Sequence, residues 1–181
     1  MGELVRHSSN YKILLSYQKA DTIFQLTYHF CHKYLTKGDR TIDQMVQAAR
    51  SGKQNIIEGC AASATSAATE IKLVNVAKAS LKELLEDFED YLKTRNMRQW
   101  ERGCAEYEAM CRLGRKHNDA EYFMRLAETR PGHTVANMVI ILINQADYLL
   151  FRQLERLEAN FLHTGGFKER MYALRRKERG Q

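Results

Sequence analysis

The chain has 181 residues, a formal net charge of +6 and a single proline. That length suits one domain with a substantial core, and the wealth of Leu, Ala, Glu, Lys and Arg, with no strictly alternating run, argues for an all-α fold and gives no support to a sheet. The start, MGELVRHSSNYK, lacks the apolar centre of a signal peptide, and the longest purely apolar run, Met138 to Ile143, is too short to cross a bilayer, so the expectation is a soluble cytoplasmic protein with no membrane partner.

Helix one is expected over about 13–36, with Tyr17, Ala20, Phe24, Tyr28, Cys31 and Leu35 forming its apolar stripe. Lys37-Gly38-Asp39 stops it, Gly38 suiting a left-handed C-cap. The stretch from Arg40 to Leu92 then reads as a helical hairpin. Its first helix covers about 41–59 and its second about 67–94. Between them the small, polar run from Cys60 to Ser66 is the loop, and Ser66 caps the second helix. Gly52 falls inside a helix, where close approach of another helix explains it. Glu83, Glu86, Asp87, Glu89 and Asp90 cluster on the second helix as a solvated face and not as a metal site, because no Glu-x-x-His partner accompanies them.

From 97 to 129 the rhythm is less regular and predicts two short helices, with breaks near Gly114 and at Asn118-Asp119. Pro131-Gly132 marks a turn, and helix four follows over about 134–163. Its segment from Val139 to Ile143 is apolar on all sides, which predicts burial on more than one face and points to a subunit interface in addition to the core. Asn144 and Gln145 are read as core polar residues that fix register. Gly165-Gly166 ends the helix, and 167–181 forms a short basic amphipathic suffix with Phe167, Met171 and Leu174 on one stripe. Residues 1–166 and 167–181 are thus the two expected units.

The positive charge is concentrated outside the hairpin. Residues 1–92 carry 11 basic and 11 acidic side chains, residues 93–116 carry 7 and 3, residues 117–166 carry 4 and 6, and residues 167–181 carry 6 and 2. The candidate anion-binding residues are therefore Arg95, Arg98, Arg102, Arg112, Arg115 and Lys116 in the first basic segment. In the tail they are Lys168, Arg170, Arg175, Arg176, Lys177 and Arg179. RNA or DNA is the best-supplied anionic partner in a cytoplasm, and the tail has too few apolar residues to favour a membrane surface.

No nucleophile elbow, phosphate loop or dinucleotide glycine pattern is present, so no catalytic residue and no cofactor is expected. His29 and His32 stand three apart on helix one but lack further ligands, so no metal is expected either. Cys31, Cys60, Cys104 and Cys111 show no CxxC spacing and read as reduced, core-facing thiols.

Four motifs in order carry a resemblance: Tyr17-Gln18-Lys19-Ala20, Gln47-Ala48-Ala49-Arg50-Ser51, Asn55-Ile56-Ile57-Glu58-Gly59, and Val76 to Leu84. They resemble bacterial four-helix-bundle proteins encoded in intervening sequences of large-subunit ribosomal RNA genes. The run from Asn137 to Ile143 and the stretch from Ala159 to Met171, with Gly165 and Gly166, are similar to a subgroup with a four-helix-bundle suffix. The loop after Gly59 is Ala-rich where the family has basic or polar residues, which moves any RNA role away from that loop.

The resemblance implies an antiparallel up-down-up-down four-helix bundle, a homopentameric ring and no enzymatic activity. A relative in that superfamily is the accessory protein of diversity-generating retroelements, a basic pentamer that contacts reverse transcriptase and nucleic acid. Gln18, Lys19, Arg50, Asn55, Glu58 and Gly59 then have structural roles, with Asn55 and Glu58 one turn apart and Gly59 letting the chain turn. The expected function is non-enzymatic nucleic-acid binding by a homo-oligomer, RNA favoured. The alternative is a protein-protein interaction scaffold docked through the tail.

Overall fold

The computed structural model describes residues 10–164, 171–172 and 175–176. Among these all the regular secondary structure is helical, and there is no strand. A 3-10 turn, Tyr11–Ile13, precedes α1 (Leu15–Tyr34), α2 (Arg40–Ala62), α3 (Ala67–Thr94), α4 (Ala105–Lys116), α5 (Ala120–Glu128) and α6 (Gly132–Thr164).

Local chemistry sets the boundaries. Asp39 accepts from the Thr41 N–H at 2.9 Å, Ser66 from Thr69 at 3.2 Å and Asp119 from Tyr122 at 2.8 Å. Each satisfies an N–H that a helix start leaves without an intrahelical partner. Gly38, at φ +92°, turns the chain between α1 and α2.

Two expected breaks are absent. α2 continues through Cys60, Ala61 and Ala62, so only Ser63 to Ser66 remain as loop; alanine is the strongest helix former and needs no broad apolar stripe to stay helical. Gly114 lies inside α4 and is buried.

α1 packs on α2 and α6, and α3 packs on the same two helices from the other side; α4 covers α6, and α5 covers α1. Neighbouring long helices run in opposite directions. Asp21 meets Lys53 and Cys31 meets Met45 between α1 and α2. Ser51 meets Ser80 and Gly59 faces Leu73 between α2 and α3. Lys78 meets Asp147 between α3 and α6, and Ser16 meets Gln153 between α1 and α6. At the far end Gly132 lies under both Tyr34 and Tyr91.

The buried face of α1 differs from the expected stripe. It comprises Ser16, Lys19, Ala20, Thr22, Ile23, Leu26, Thr27, Phe30 and Cys31, whereas Tyr28 is exposed and its ring stacks on His32. α5 is the reason: with α2, α5 and α6 all against it, α1 is covered over more of its circumference than one stripe provides.

On α6 every residue from Val135 to Ile143 is buried. The expected burial on several faces is therefore real, but this chain alone supplies it, and the run gives no reason to invoke a subunit interface. α1 and α3 take one side, while α4 and the segment leading to it take the other. Asn137 ties that segment down: its Oδ1 accepts from the Trp100 N–H at 2.7 Å, and its Nδ2 donates to the carbonyls of Arg98 and His133. By length and composition α6 could cross a membrane, yet most of its apolar window is buried against the other helices.

The polar residues of α6 also fall differently. Asn144 is exposed and Gln145 half-buried; Asn137 and Gln153 occupy the core positions. The acidic cluster of α3 is solvated at Glu83, Glu86 and Asp90, but Asp87 is half-buried, and burial followed by its acidic neighbours raises its carboxyl pKa. None of the four cysteines forms a disulfide. Cys31 is buried, and desolvation is the main cause that pushes its thiol up to about 12.

The α2–α3 contact depends on two small residues. A Cβ at Gly52 would stand 2.6 Å from Leu81 Cδ2, and one at Gly59 would stand 3.4 Å from Leu73 Cβ. Gly59 is thus a helical contact residue and not the turn expected from the sequence. Gly52→Ala gains about 1 kcal/mol of helix propensity but overlaps the buried Leu81 side chain, which costs about 1–3 kcal/mol, so the unfolding free energy should fall by up to about 2 kcal/mol. Urea unfolding of the two proteins measures it, and a higher midpoint would contradict the tight α2–α3 contact.

Candidate nucleic-acid interface

The first basic segment begins at the C-terminus of α3 and ends with α4. Arg95 is engaged locally: its guanidinium lies 4.2 Å from the Tyr91 ring centroid, and Nη1 donates to the Tyr91 carbonyl and the Thr94 hydroxyl. Arg98 pairs with Glu106 at 3.3 Å. Both are exposed, and both already have uses within the fold.

The other four behave differently. Arg102, Arg112, Arg115 and Lys116 are exposed and have no hydrogen bond or ion pair among the described residues. Arg112 and Lys116 are one turn apart on α4, and Arg115 lies between them in sequence. Arg115 and Lys116 occupy the last turn, while Glu106 and Glu108 occupy the first. This order matches the helix dipole, which favours cations at the carbonyl end. In the tail, Arg175 and Arg176 are exposed and Met171 is half-buried. Lys168, Arg170, Lys177 and Arg179 lie outside the described residues, as do Gly165, Gly166, Phe167 and Leu174.

The motif residues divide between packing and surface. Gln18 donates to the Lys12 carbonyl at 2.9 Å and holds the 3-10 turn onto α1. Asn55 donates to the carbonyl and hydroxyl of Ser51, whose hydroxyl meets Ser80 on α3. Arg50 and Glu58 are exposed.

Lys19 is the residue whose role was not legible in its type. It is 1% exposed. Its ammonium donates to the Gly114 carbonyl at 2.5 Å and to the His117 carbonyl at 3.3 Å, so it caps the C-terminal end of α4 from inside the protein. No carboxylate pairs with it among the described residues, and desolvation lowers its pKa from 10.5 to about 8. The available signal was positional: Lys19 stands three residues after Ser16 and four before Ile23, on the buried stripe.

Beside this cap a groove of about 460 Å³ opens between the start of α1, the second half of α4 and the middle of α6. Lys19, Arg102 and Arg115 are among its lining residues, and no Asp or Glu is. Two of the four unpaired arginine and lysine side chains are therefore gathered at one cleft, while Arg112 and Lys116 extend the positive surface along α4.

Among the described residues no group of three or more His, Cys, Asp or Glu side chains is placed to hold an ion. His32 Nδ1 lies 2.8 Å from the Tyr28 carbonyl, and burial lowers the pKa of His29.

Comparison of the chain with known protein families, with curated proteins and with solved structures finds no match in any of the three.

The Lys19 cap has a pH signature. Above about pH 8 the native ammonium releases its proton while the unfolded chain keeps it up to about 10.5, so the unfolded state binds more protons in that window and stability rises with pH. The unfolding free energy of wild type minus that of Lys19→Met should be flat below pH 8 and should climb between pH 8 and 10.5. Urea titrations across that range measure it, and a difference that stays flat or falls would show the charge to be compensated.

Proposed function

We propose that the chain is a non-enzymatic, homo-oligomeric helical protein that binds nucleic acid, RNA in preference to DNA, through the α4 surface. The observation that carries this reading is the set of exposed side chains Arg102, Arg112, Arg115 and Lys116, none of them neutralised by an acidic neighbour among the described residues. Cations left unpaired on one segment are what phosphate contacts require, and those contacts supply most of the affinity of sequence-independent binding. Arg175 and Arg176 add exposed charge from the tail.

In the same reading α1, α2, α3 and α6 form an up-down-up-down four-helix bundle of the ribosomal RNA intervening-sequence type, and copies assemble as a ring of five. The sequence motifs support the family, and the antiparallel contacts between neighbouring long helices support the topology. Five copies repeat the α4 surface, so a modest patch becomes a strong field in a cytoplasmic protein.

A second reading, a protein-interaction scaffold, is favoured by one observation: Tyr148, Phe151, Leu162 and Tyr172 are large, apolar and exposed. Side chains of that kind mark protein contacts when they cluster.

Salt separates the two. If four phosphates are neutralised per subunit, log affinity for single-stranded RNA should fall with log salt with a slope of about −3 per engaged subunit, and Arg112→Gln with Lys116→Gln should reduce that slope by about 1.4. Fluorescence anisotropy of a labelled RNA, repeated from low to physiological salt, reads both values. No binding at about 50 mM salt, where counterion release favours it most, would overturn the nucleic-acid reading and leave the scaffold.

A further inference from the structure

The groove beside Lys19 has features that the charge of α4 does not explain. Its volume of about 460 Å³ falls within the range of small-molecule pockets, about 300–1,000 Å³. Arg102 and Arg115 belong to its lining, and Lys19 adds a buried ammonium whose only hydrogen bonds go to backbone carbonyls. A cleft with three cationic residues and no carboxylate is complementary to an anion.

The remaining lining is not that of a simple phosphate site. Tyr107 from α4 and Tyr148 from α6 bring aromatic rings to the groove, and Tyr148 is 62% exposed. Leu15, Ile141 and Leu149 add apolar lining. Asn118, Asn144 and Gln145 also line it; the Gln145 amide lies against Gly114 with its Nε2 donating to the Cys111 carbonyl, so the amides left to meet a ligand are those of Asn118 and Asn144.

Guanidinium groups for a phosphate, aromatic rings for stacking and amides for the edge of a heterocycle are together the chemistry that recognises one nucleotide. We propose that this groove is a single-nucleotide pocket, holding the phosphate at Arg102 and Arg115 and the base against Tyr148 and Tyr107 within reach of Asn144. The nucleotide is either a free nucleoside monophosphate or one unpaired unit of a bound strand; the second form rests on the nucleic-acid reading of α4, and the first does not. Lys19 acts here as a positioning residue: by holding the Gly114 and His117 carbonyls it fixes the end of α4 that carries Arg115.

The test uses the full chain and three probes: the four nucleoside monophosphates, an eight-nucleotide single-stranded RNA, and ribose 5-phosphate as the probe without a base. Calorimetry measures affinity, and methyl NMR of Ile141 and Leu149 reports whether the groove itself is occupied. The expected result is that at least one monophosphate binds, shifts those methyls and outcompetes ribose 5-phosphate by tenfold or more. Tyr148→Ala and Arg115→Gln alter exposed side chains, and circular dichroism checks that both fold; each should weaken monophosphate binding by tenfold or more.

The failures separate. If the RNA binds but no monophosphate shifts those methyls and Tyr148→Ala binds the RNA as wild type does, the pocket is overturned and the α4 interface stands. If monophosphates bind with the expected methyl shifts but no strand binds, the pocket stands as a site for free nucleotide and the nucleic-acid reading falls. Ribose 5-phosphate binding as tightly as the monophosphates would reduce the groove to an anion site and overturn the proposal. Absence of binding by all three probes overturns both.

Discussion

Much of this structure follows from the need to keep nine consecutive residues of one helix away from water. From Val135 to Ile143, α6 offers no polar flank apart from Asn137, so packing against two neighbours on one side is not enough. Each large aliphatic side chain left exposed would forgo about 1.5–3 kcal/mol of burial free energy. The chain answers by inserting residues 95–131 between α3 and α6 and laying α4 over the outer face. Asn137, the polar member of the run, is spent on fastening that cover: its amide bonds the backbone of Trp100 and Arg98. The same insertion supplies α5, which covers the outer side of α1. What sits on top of the long helices is therefore part of the core's solution, and the basic surface is carried by that cover.

Charge placement follows the same division. The long helices are near neutral, and the surplus lies on elements added to them. Lys19 links the two regions. A lysine is rarely buried without a carboxylate, because desolvating an ammonium is costly. Here the carbonyls at the end of α4, which carry partial negative charge and have no intrahelical N–H to accept from, meet that need in part. The ammonium and the helix end each complete what the other lacks, and the residual cost appears as the lowered pKa.

How much of this the residues announced varies by element. α3 was legible at both ends, since a regular 3.6-residue period and a serine cap coincide at Ser66. α1 was legible as a helix but not in its phase: a helix covered on three sides has no single stripe, and counting apolar residues placed Tyr28 inward when Lys19, Thr22 and Thr27 are buried instead. For α6 the sequence correctly demanded several buried faces, yet the partner came from the same chain, hidden in the segment whose periodicity was weakest. The basic residues of α4 were visible as a local excess of charge. The groove was not, because its lining runs from Leu15 to Leu149 and no spacing rule joins positions that far apart.

Gly114 shows how finely that groove is dimensioned. The Gln145 side chain from α6 lies so close to its Cα that there is no room for a methyl group between them. The gap between α4 and α6 is thus gauged by a single hydrogen atom, with the amide of Gln145 serving as the shim. A methyl group at 114 would push that amide aside and break its Nε2 bond to the Cys111 carbonyl. The α4–α6 seam is consequently sealed by one amide lying flat on a residue with no side chain, and the wall of the groove at that point is set by where the amide rests.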